Sequence, residues 1–144
     1  QLEIHSQSVN AKGVVRLVRE SDREPARLFE GLDQVFRDTV KWEAQVPFVV
    51  VAACWELAED DPLVALALTL EWGHDTDSYA QIAGALAGAL HGPELFPVAW
   101  KQDVEARLEA DYGVRVRQEV ELLARLHSAA QVRPVIAGVP LIPG

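Results

Sequence analysis

The sequence predicts an all-α protein, and three kinds of observation support this fold class. Apolar residues recur three or four positions apart in most segments, which is the spacing of one helix face. Proline stands at the start of several predicted helices, where its missing N–H group is not needed. Glycine follows the apolar stripe at two points, where it favours the end of a helix. We therefore expect a domain built from helices.

The first predicted helices are defined by their start signals. Residues 1–12 are polar and without period, so we expect an extended lead-in there. Residues 13–20 suit a short helix or a strand equally well. Residues 21–24, followed by Pro25, indicate a helix start, and the apolar stripe after them extends this helix to about Val40. The stripe consists of Leu28, Leu32, Val35 and Phe36.

The middle of the chain carries the most apolar segments. Residues 41–46 are expected to form a linker. The segment from Pro47 to Trp55 is apolar on nearly all sides, which suits a helix buried in the core, although its β-branched residues also suit a strand. Asp61 is expected to cap the next helix, and Pro62 to be the first residue of a helix that continues through Leu70.

The C-terminal third is predicted to contain two helices and an extended tail. Pro97 begins the first helix and Gly113 ends it. The second helix runs from Arg115 to about Ala129, and residues 131–144 carry three prolines that cannot continue it. The side chains expected to face inward are Trp100, Val104 and Leu108 in the first helix, and Val116, Val120, Leu123 and Leu126 in the second.

Two carboxylates lie one residue apart at the point where a polar loop becomes a helix. Asp75 and Asp77 offer hard oxygens, and Thr76 and Ser78 add hydroxyl oxygens. Such donors suit Mg2+ or Ca2+, whereas zinc or copper would favour His and Cys ligands. The alternative is a capped helix start, in which Asp and Ser accept bonds from N–H groups of the first turn. Spacing alone favours the cap.

The helix after this loop has two different faces. Ile82, Leu86 and Leu90 lie four residues apart and form an apolar stripe. Gly84 and Gly88 lie on another side of the helix, and both weaken a helix relative to alanine. Glycines at this spacing therefore predict a neighbouring helix in close backbone contact.

This region resembles the C-terminal metal motif of the ADP-ribosylglycohydrolases, a family that includes the dinitrogenase-reductase-activating glycohydrolases. The resemblance rests on residues 73–78 and on the small-residue helix 82–92. The usual form in the family is Gly-Gly-Asp-Thr-Asp-Thr, followed by a small-residue helix that ends in Tyr-Gly or His-Gly. A weaker similarity covers about residues 46–110, and it favours a helix for the apolar segment after Pro47. The resemblance implies a compact, orthogonal multi-helix domain.

The resemblance also implies a reaction, namely hydrolysis of a glycosidic bond between ADP-ribose and a protein side chain or small acceptor. It implies two Mg2+ ions, with Asp75, Asp77 and Ser78 among their ligands and Ser78 in the place of the usual threonine. Thr76 and His74 are expected to contact the substrate. His74 stands where the family more often has glycine, so it could instead support the metal through a hydrogen bond or narrow the cleft.

The sequence begins with glutamine and contains no methionine, so we expect a processed chain or part of a longer one. By resemblance, residues 1–144 would form the C-terminal part of a single domain. An N-terminal half would be the partner that supplies the remaining metal ligands and the general base, so no catalytic residue is assigned here. A non-catalytic, crystallin-like or ADP-ribose-binding protein on the same scaffold is the alternative, and a third reading is a helical interaction domain.

Composition limits the other partners and the compartment. The net charge of −9 argues against nucleic acid or an anionic membrane surface as a general partner. Neither a signal peptide nor a membrane span is evident, so we expect a cytoplasmic protein. The single cysteine, Cys54, lies in an apolar run and is expected to be a buried, inert thiol. Trp72, just before the loop, is expected to pack in the core rather than to line a substrate cleft.

Overall fold

The structure is a computed structural model that describes residues 11–41 and 43–129. Within these ranges it contains seven α-helices, one short 3-10 helix and no strand, so the predicted all-α class is confirmed. The helices are α1 Ala11–Glu20, α2 Pro25–Val35, α3 Gln45–Leu57, α4 Pro62–Glu71, α5 Thr76–His91, α6 Val98–Tyr112 and α7 Val116–Ala129, with the 3-10 helix at Pro93–Leu95. None of the described helices is both long and apolar enough to cross a bilayer. The predicted lead-in before residue 11 and the tail after residue 130 lie outside the described residues.

Helix α3 is the centre of the core, and its prediction as a buried helix is confirmed. It packs against α1, α4 and α5. Most of its apolar side chains are shielded from water, and one stripe, formed by Phe48, Ala52 and Glu56, is exposed. Burial raises the pKa of the Cys54 thiol to about 12, and a hydrogen bond with Thr69 opposes part of that rise. The buried residues of α3 include Val46, Val49, Val50, Val51, Ala53 and Cys54.

The first two helices pack on this core through short apolar stripes. Residues 13–20, where the sequence left helix and strand open, belong to α1, which buries Val14, Leu17 and Val18 at helical spacing. Helix α2 ends at Val35, five residues before the predicted end. Phe36 leaves the helical conformation and is fully buried, and the Lys41 ammonium donates a 2.7 Å hydrogen bond to its carbonyl.

Helix α4 begins as predicted, with an aspartate cap and a proline in the first turn. Asp61 Oδ1 accepts hydrogen bonds from the backbone N–H groups of Leu63 at 3.0 Å and Val64 at 3.1 Å. The helix buries Ala65, Leu68 and Thr69 along one side, whereas the side chain of Leu70 is half exposed. Apolar residues occur on nearly all sides of α4, but only one of these sides is buried.

Helix α5 packs through a face that carries one tyrosine and two alanines, and not through its leucines. Tyr79, Ala83 and Ala87 lie four residues apart and are fully buried, whereas Leu90 is 62% exposed. The predicted close backbone contact is not found at Gly84, because a Cβ atom built there meets no other atom within 4 Å. Helix α5 contacts α3 and α4, and its buried face carries Ala83 and Ala87, whereas Gly84 faces open space.

The described residues divide between Leu95 and Phe96 into two units. All the buried core residues belong to the first unit. In the second unit, α6 buries no residue, and the predicted inward stripes are mostly wrong. Two helices by themselves cannot enclose large side chains on every side. The exposed members of the stripes are Trp100, Val104, Val120, Leu123 and Leu126, and Leu108 and Val116 are half-buried.

Candidate functional site

The candidate site is the corner between α4 and α5, which consists of the four residues 72–75 and the first turn of α5. Trp72 follows the last turn of α4, and its N–H group still bonds to the carbonyl of Leu68 at 3.1 Å. Gly73 and His74 then adopt positive φ values of 83° and 59°. Glycine adopts such values without strain, whereas histidine does so at a cost. The corner therefore holds a non-glycine residue in an unfavourable backbone conformation.

Asp75 occupies the N-cap position of α5 but does not cap the helix. Its side chain accepts no hydrogen bond from the first turn, and its φ and ψ are −88° and 62°. Asp61 at the start of α4 accepts two such bonds and has an extended backbone, as N-cap residues usually do. Asp61 thus caps α4, whereas the Asp75 side chain makes no cap bond with α5.

The remaining predicted residues occupy the first turn of α5. Thr76 is the first helical residue, and Asp77 and Ser78 follow it. Asp77 is exposed, while the other two are half-buried. A negative charge at this position is favourable, because the N-terminus of a helix carries a partial positive charge. The turn therefore presents one exposed carboxylate and two hydroxyl groups beside Asp75.

An aromatic group lies beneath the corner and fixes it to the core. The Trp72 ring stacks on Tyr79 at 5.4 Å between centroids, and the His74 ring meets the same indole edge-on at 4.6 Å. The Lys41 ammonium lies 5.7 Å from the Trp72 centroid, within the range of a cation–π contact. The indole Nε1 is buried and has no hydrogen-bond partner among the described residues. Trp72 thus acts as a packing residue, as expected.

Tyr79 joins the start of α5 to the segment after α2. Its hydroxyl donates a 2.8 Å hydrogen bond to the carbonyl of Lys41. Burial raises the pKa of Tyr79 to about 12, and the nearby negative charge of Asp75 adds to the rise, while a hydrogen bond to the Asp75 backbone opposes it. The hydroxyl therefore stays protonated and keeps its bond at ordinary pH.

Among the contacts described for the corner, the one made by His74 joins the residues that are farthest apart in sequence. Its Nε2 atom lies 3.0 Å from Oδ1 of Asp33, which belongs to α2. The sequence indicates neither the Asp33–His74 contact nor the Tyr79–Lys41 bond, because the residues of each pair are about 40 positions apart and no local pattern connects them. The predicted residue His74 thus has a charged partner that the sequence did not indicate.

The corner offers carboxylate and hydroxyl oxygens, which are the types of ligand that a hard divalent cation prefers. The described residues contain no group of three or more His, Cys, Asp or Glu side chains that could hold a metal ion. Mg2+ usually binds through one or two carboxylates and completes its shell with water and substrate oxygens. Asp75 and Asp77 can supply the carboxylates, since Asp75 is not engaged as a cap, and Ser78 can supply a hydroxyl. The ligand roles of these three residues stay predictions.

Comparisons with known proteins agree on one family. A model of the ADP-ribosylglycohydrolase family matches residues 3–135. ADP-ribosylhydrolase ARH3 from Xenopus tropicalis is 41% identical over 54 residues, which are 37% of this chain and 15% of that protein. The bovine (Bos taurus) and mouse (Mus musculus) ARH3 proteins are each 44% identical over 46 residues, or 32% of this chain. These matches cover only 13% and 12% of the two relatives. No solved structure matches the chain significantly.

Proposed function

Because this chain belongs to the ADP-ribosylglycohydrolase family, we propose that it is part of a hydrolase that releases ADP-ribose from a protein side chain or a small acceptor. The family match covers most of the chain, and the three relatives that match it carry the name ADP-ribosylhydrolase. The bond cleaved would be the N- or O-glycosidic bond of the ADP-ribosyl group.

The observation that carries this proposal is the Asp75 carboxylate at the start of α5, which accepts no hydrogen bond from the first turn of its own helix. At the start of α4, by contrast, Asp61 serves as the cap. Asp75 instead makes no cap bond, although Tyr79 and Trp72 anchor the corner around it. A carboxylate that makes no cap bond, at a corner held by packed aromatic side chains, suits a metal ligand.

Asp75, Asp77 and Ser78 would hold Mg2+, and the ligands that complete two such ions would come from an N-terminal half of the protein. Bound Mg2+ would orient the ribose hydroxyls and help to activate water. The chain's own residues would keep the carboxylates in place. The Tyr79 hydroxyl bonds α5 to the Lys41 carbonyl, and the carboxylates of Asp75 and Asp77 lie at the helix N-terminus, whose partial positive charge favours them.

The substrate would contact His74 and Thr76, the two residues beside the ligands. Thr76 is half-buried at the first position of α5, and the His74 side chain is 36% exposed, so both are accessible from the corner. The general base would also come from the N-terminal half, and we place the protein in the cytoplasm without a nucleic-acid partner. A binding protein without activity is less favoured, because Asp75 and Asp77 are both retained.

The proposed function can be tested by measuring ADP-ribose release from an ADP-ribosylated peptide. The intact protein should release ADP-ribose in the presence of Mg2+, and the release should stop when EDTA removes the metal. Asp75→Asn and Asp77→Asn should each lower the rate by roughly 100-fold or more, at the upper end of the range for residues that support a metal. Asp61→Asn is the matched control, since it alters an aspartate that caps a helix away from the corner.

Two results would contradict the proposal. Release that continues undiminished in EDTA would remove the role of Mg2+. A wild-type protein that binds ADP-ribose but releases none from any protein or small acceptor would favour the non-catalytic alternative.

A further inference from the structure

The contact between Asp33 and His74 connects α2 to the corner that carries the proposed ligands. Oδ1 of Asp33 and Nε2 of His74 are 3.0 Å apart, although the residues are 41 positions apart in sequence. An ionised carboxylate can only accept a hydrogen bond, so Nε2 carries the hydrogen in this pair. Asp33 therefore fixes the tautomer of a neutral His74 and the direction of its ring.

His74 is held in an unfavourable backbone conformation immediately before Asp75. Its φ of 59° lies in the left-handed region, and its ring packs edge-on against Trp72 at 4.6 Å. Exposed residues away from the corner, such as Arg23 and Glu59, also have positive φ, so this conformation alone does not mark a site. His74 differs from them because its ring contacts both the Asp33 carboxylate and the Trp72 ring, and it is joined by one peptide bond to Asp75.

We propose that Asp33 is a positioning residue, which acts through His74 to set the direction of the Asp75 carboxylate. This inference rests on the proposed function, because Asp75 is there a ligand of Mg2+. It adds a residue from α2 to a site that the sequence confines to residues 74–78. It also gives His74 a role as the connection between the two.

If the Asp33–His74 pair served only to stabilise the fold, removal of Asp33 would lower the unfolding midpoint of the metal-free protein. The Asp33 and His74 side chains are 54% and 36% exposed, and exposed ion pairs contribute little to stability. Removal of Asp33 should therefore leave the unfolding midpoint of the metal-free protein almost unchanged. A misdirected ligand, by contrast, weakens metal binding even when the fold is intact.

The test is the affinity of the intact protein for Mg2+ alone, measured by isothermal titration calorimetry. Asp33→Ala should raise the dissociation constant for Mg2+ roughly tenfold, the lower limit for residues that orient ligands. Asp33→Asn keeps an acceptor oxygen for Nε2–H and should restore most of the affinity. Asp38→Ala is the matched control, because Asp38 is an exposed aspartate just after α2, and its loss should change the dissociation constant less than twofold.

Double substitution tests whether the effect passes through His74. Residues that act as a unit give non-additive effects, so adding His74→Gly to Asp33→Ala should weaken Mg2+ binding little further. Equal losses of Mg2+ affinity for Asp33→Ala and Asp38→Ala would overturn the inference, because they would show that only the removal of a negative charge matters. Fully additive losses would overturn it as well. A wild-type protein that binds no Mg2+ would instead contradict the proposed function, and the inference with it.

Discussion

Replacing Asp61 and Asp75 by alanine, one at a time, should separate a helix cap from a metal ligand. Both residues are N-cap aspartates, of α4 and α5 respectively, but only Asp61 accepts bonds from its helix, from Leu63 N at 3.0 Å and Val64 N at 3.1 Å. Loss of an N-cap side chain costs about 1 kcal/mol. We expect Asp61→Ala to lower the free energy of unfolding by that amount.

Asp75→Ala should have a smaller effect in the absence of metal. No cap bond is lost, so only the attraction between the carboxylate and the helix N-terminus disappears, at the lower end of a range of about 0.3–1 kcal/mol. The assay is urea unfolding of the intact protein in EDTA, followed by circular dichroism. Equal losses for the two variants would refute the reasoning, because they would mean that Asp75 caps its helix after all.

Addition of Mg2+ should then reverse the order of stability of the two variants, so that Asp75→Ala becomes the less stable one. A ligand that binds only the folded state stabilises it by about 2.7 kcal/mol at 100 times its dissociation constant. The wild type and Asp61→Ala should gain this stability at saturating Mg2+, whereas Asp75→Ala should gain much less. If Mg2+ stabilised all three proteins alike, its site would lie elsewhere.

Three further perturbations test the packing beneath the corner. Tyr79→Phe removes the bond to the Lys41 carbonyl, and urea unfolding should show a loss of about 1 kcal/mol; an unchanged midpoint would mean that water replaces the bond. Ala83→Leu overfills a fully buried position and should cost about 1–3 kcal/mol, whereas the exposed Ala85→Leu should be nearly neutral; equal effects would contradict the observed orientation of α5. The folded state raises the pKa values of Cys54 and Tyr79 to about 12 from 9.0 and 10.0, so it keeps protons that the unfolded chain loses. Stability should therefore fall as pH rises from about 9 towards 12, and a urea midpoint that stays constant up to pH 11 would contradict this.

Local signals in the sequence were sufficient for the starts of α2 and α4, whereas α3 begins at Gln45, two residues before the predicted start at Pro47. Asp61 followed by a proline predicted both the cap and the first turn of α4, because the bonds concerned span only three residues. The apolar segment after Pro47 gave α3, once the family resemblance had favoured a helix over a strand. The corner at Asp75 was found for the same reason, since its polar residues are consecutive.

Tertiary features could not be read in this way. The Asp33–His74 contact depends on how α2 lies against the corner, and no pattern in either segment records that. The orientation of α5 was misread because its alanines and its leucines both form apolar faces. The leucines suggested the inner face, but the face that is buried carries Tyr79, Ala83 and Ala87. The ligand roles of Asp75, Asp77 and Ser78 stay predictions.

The alanine contacts of α5 determine how the corner can move. Alanine has no side-chain rotamers to lose, so Ala83 and Ala87 pack without the entropic cost that leucines would carry. They also have no rotamers with which to absorb a displacement. A shift of α5 must therefore be transmitted through the rigid backbone to Asp75 and Asp77 together, so that the two carboxylates respond as one body to any change in the helices below them.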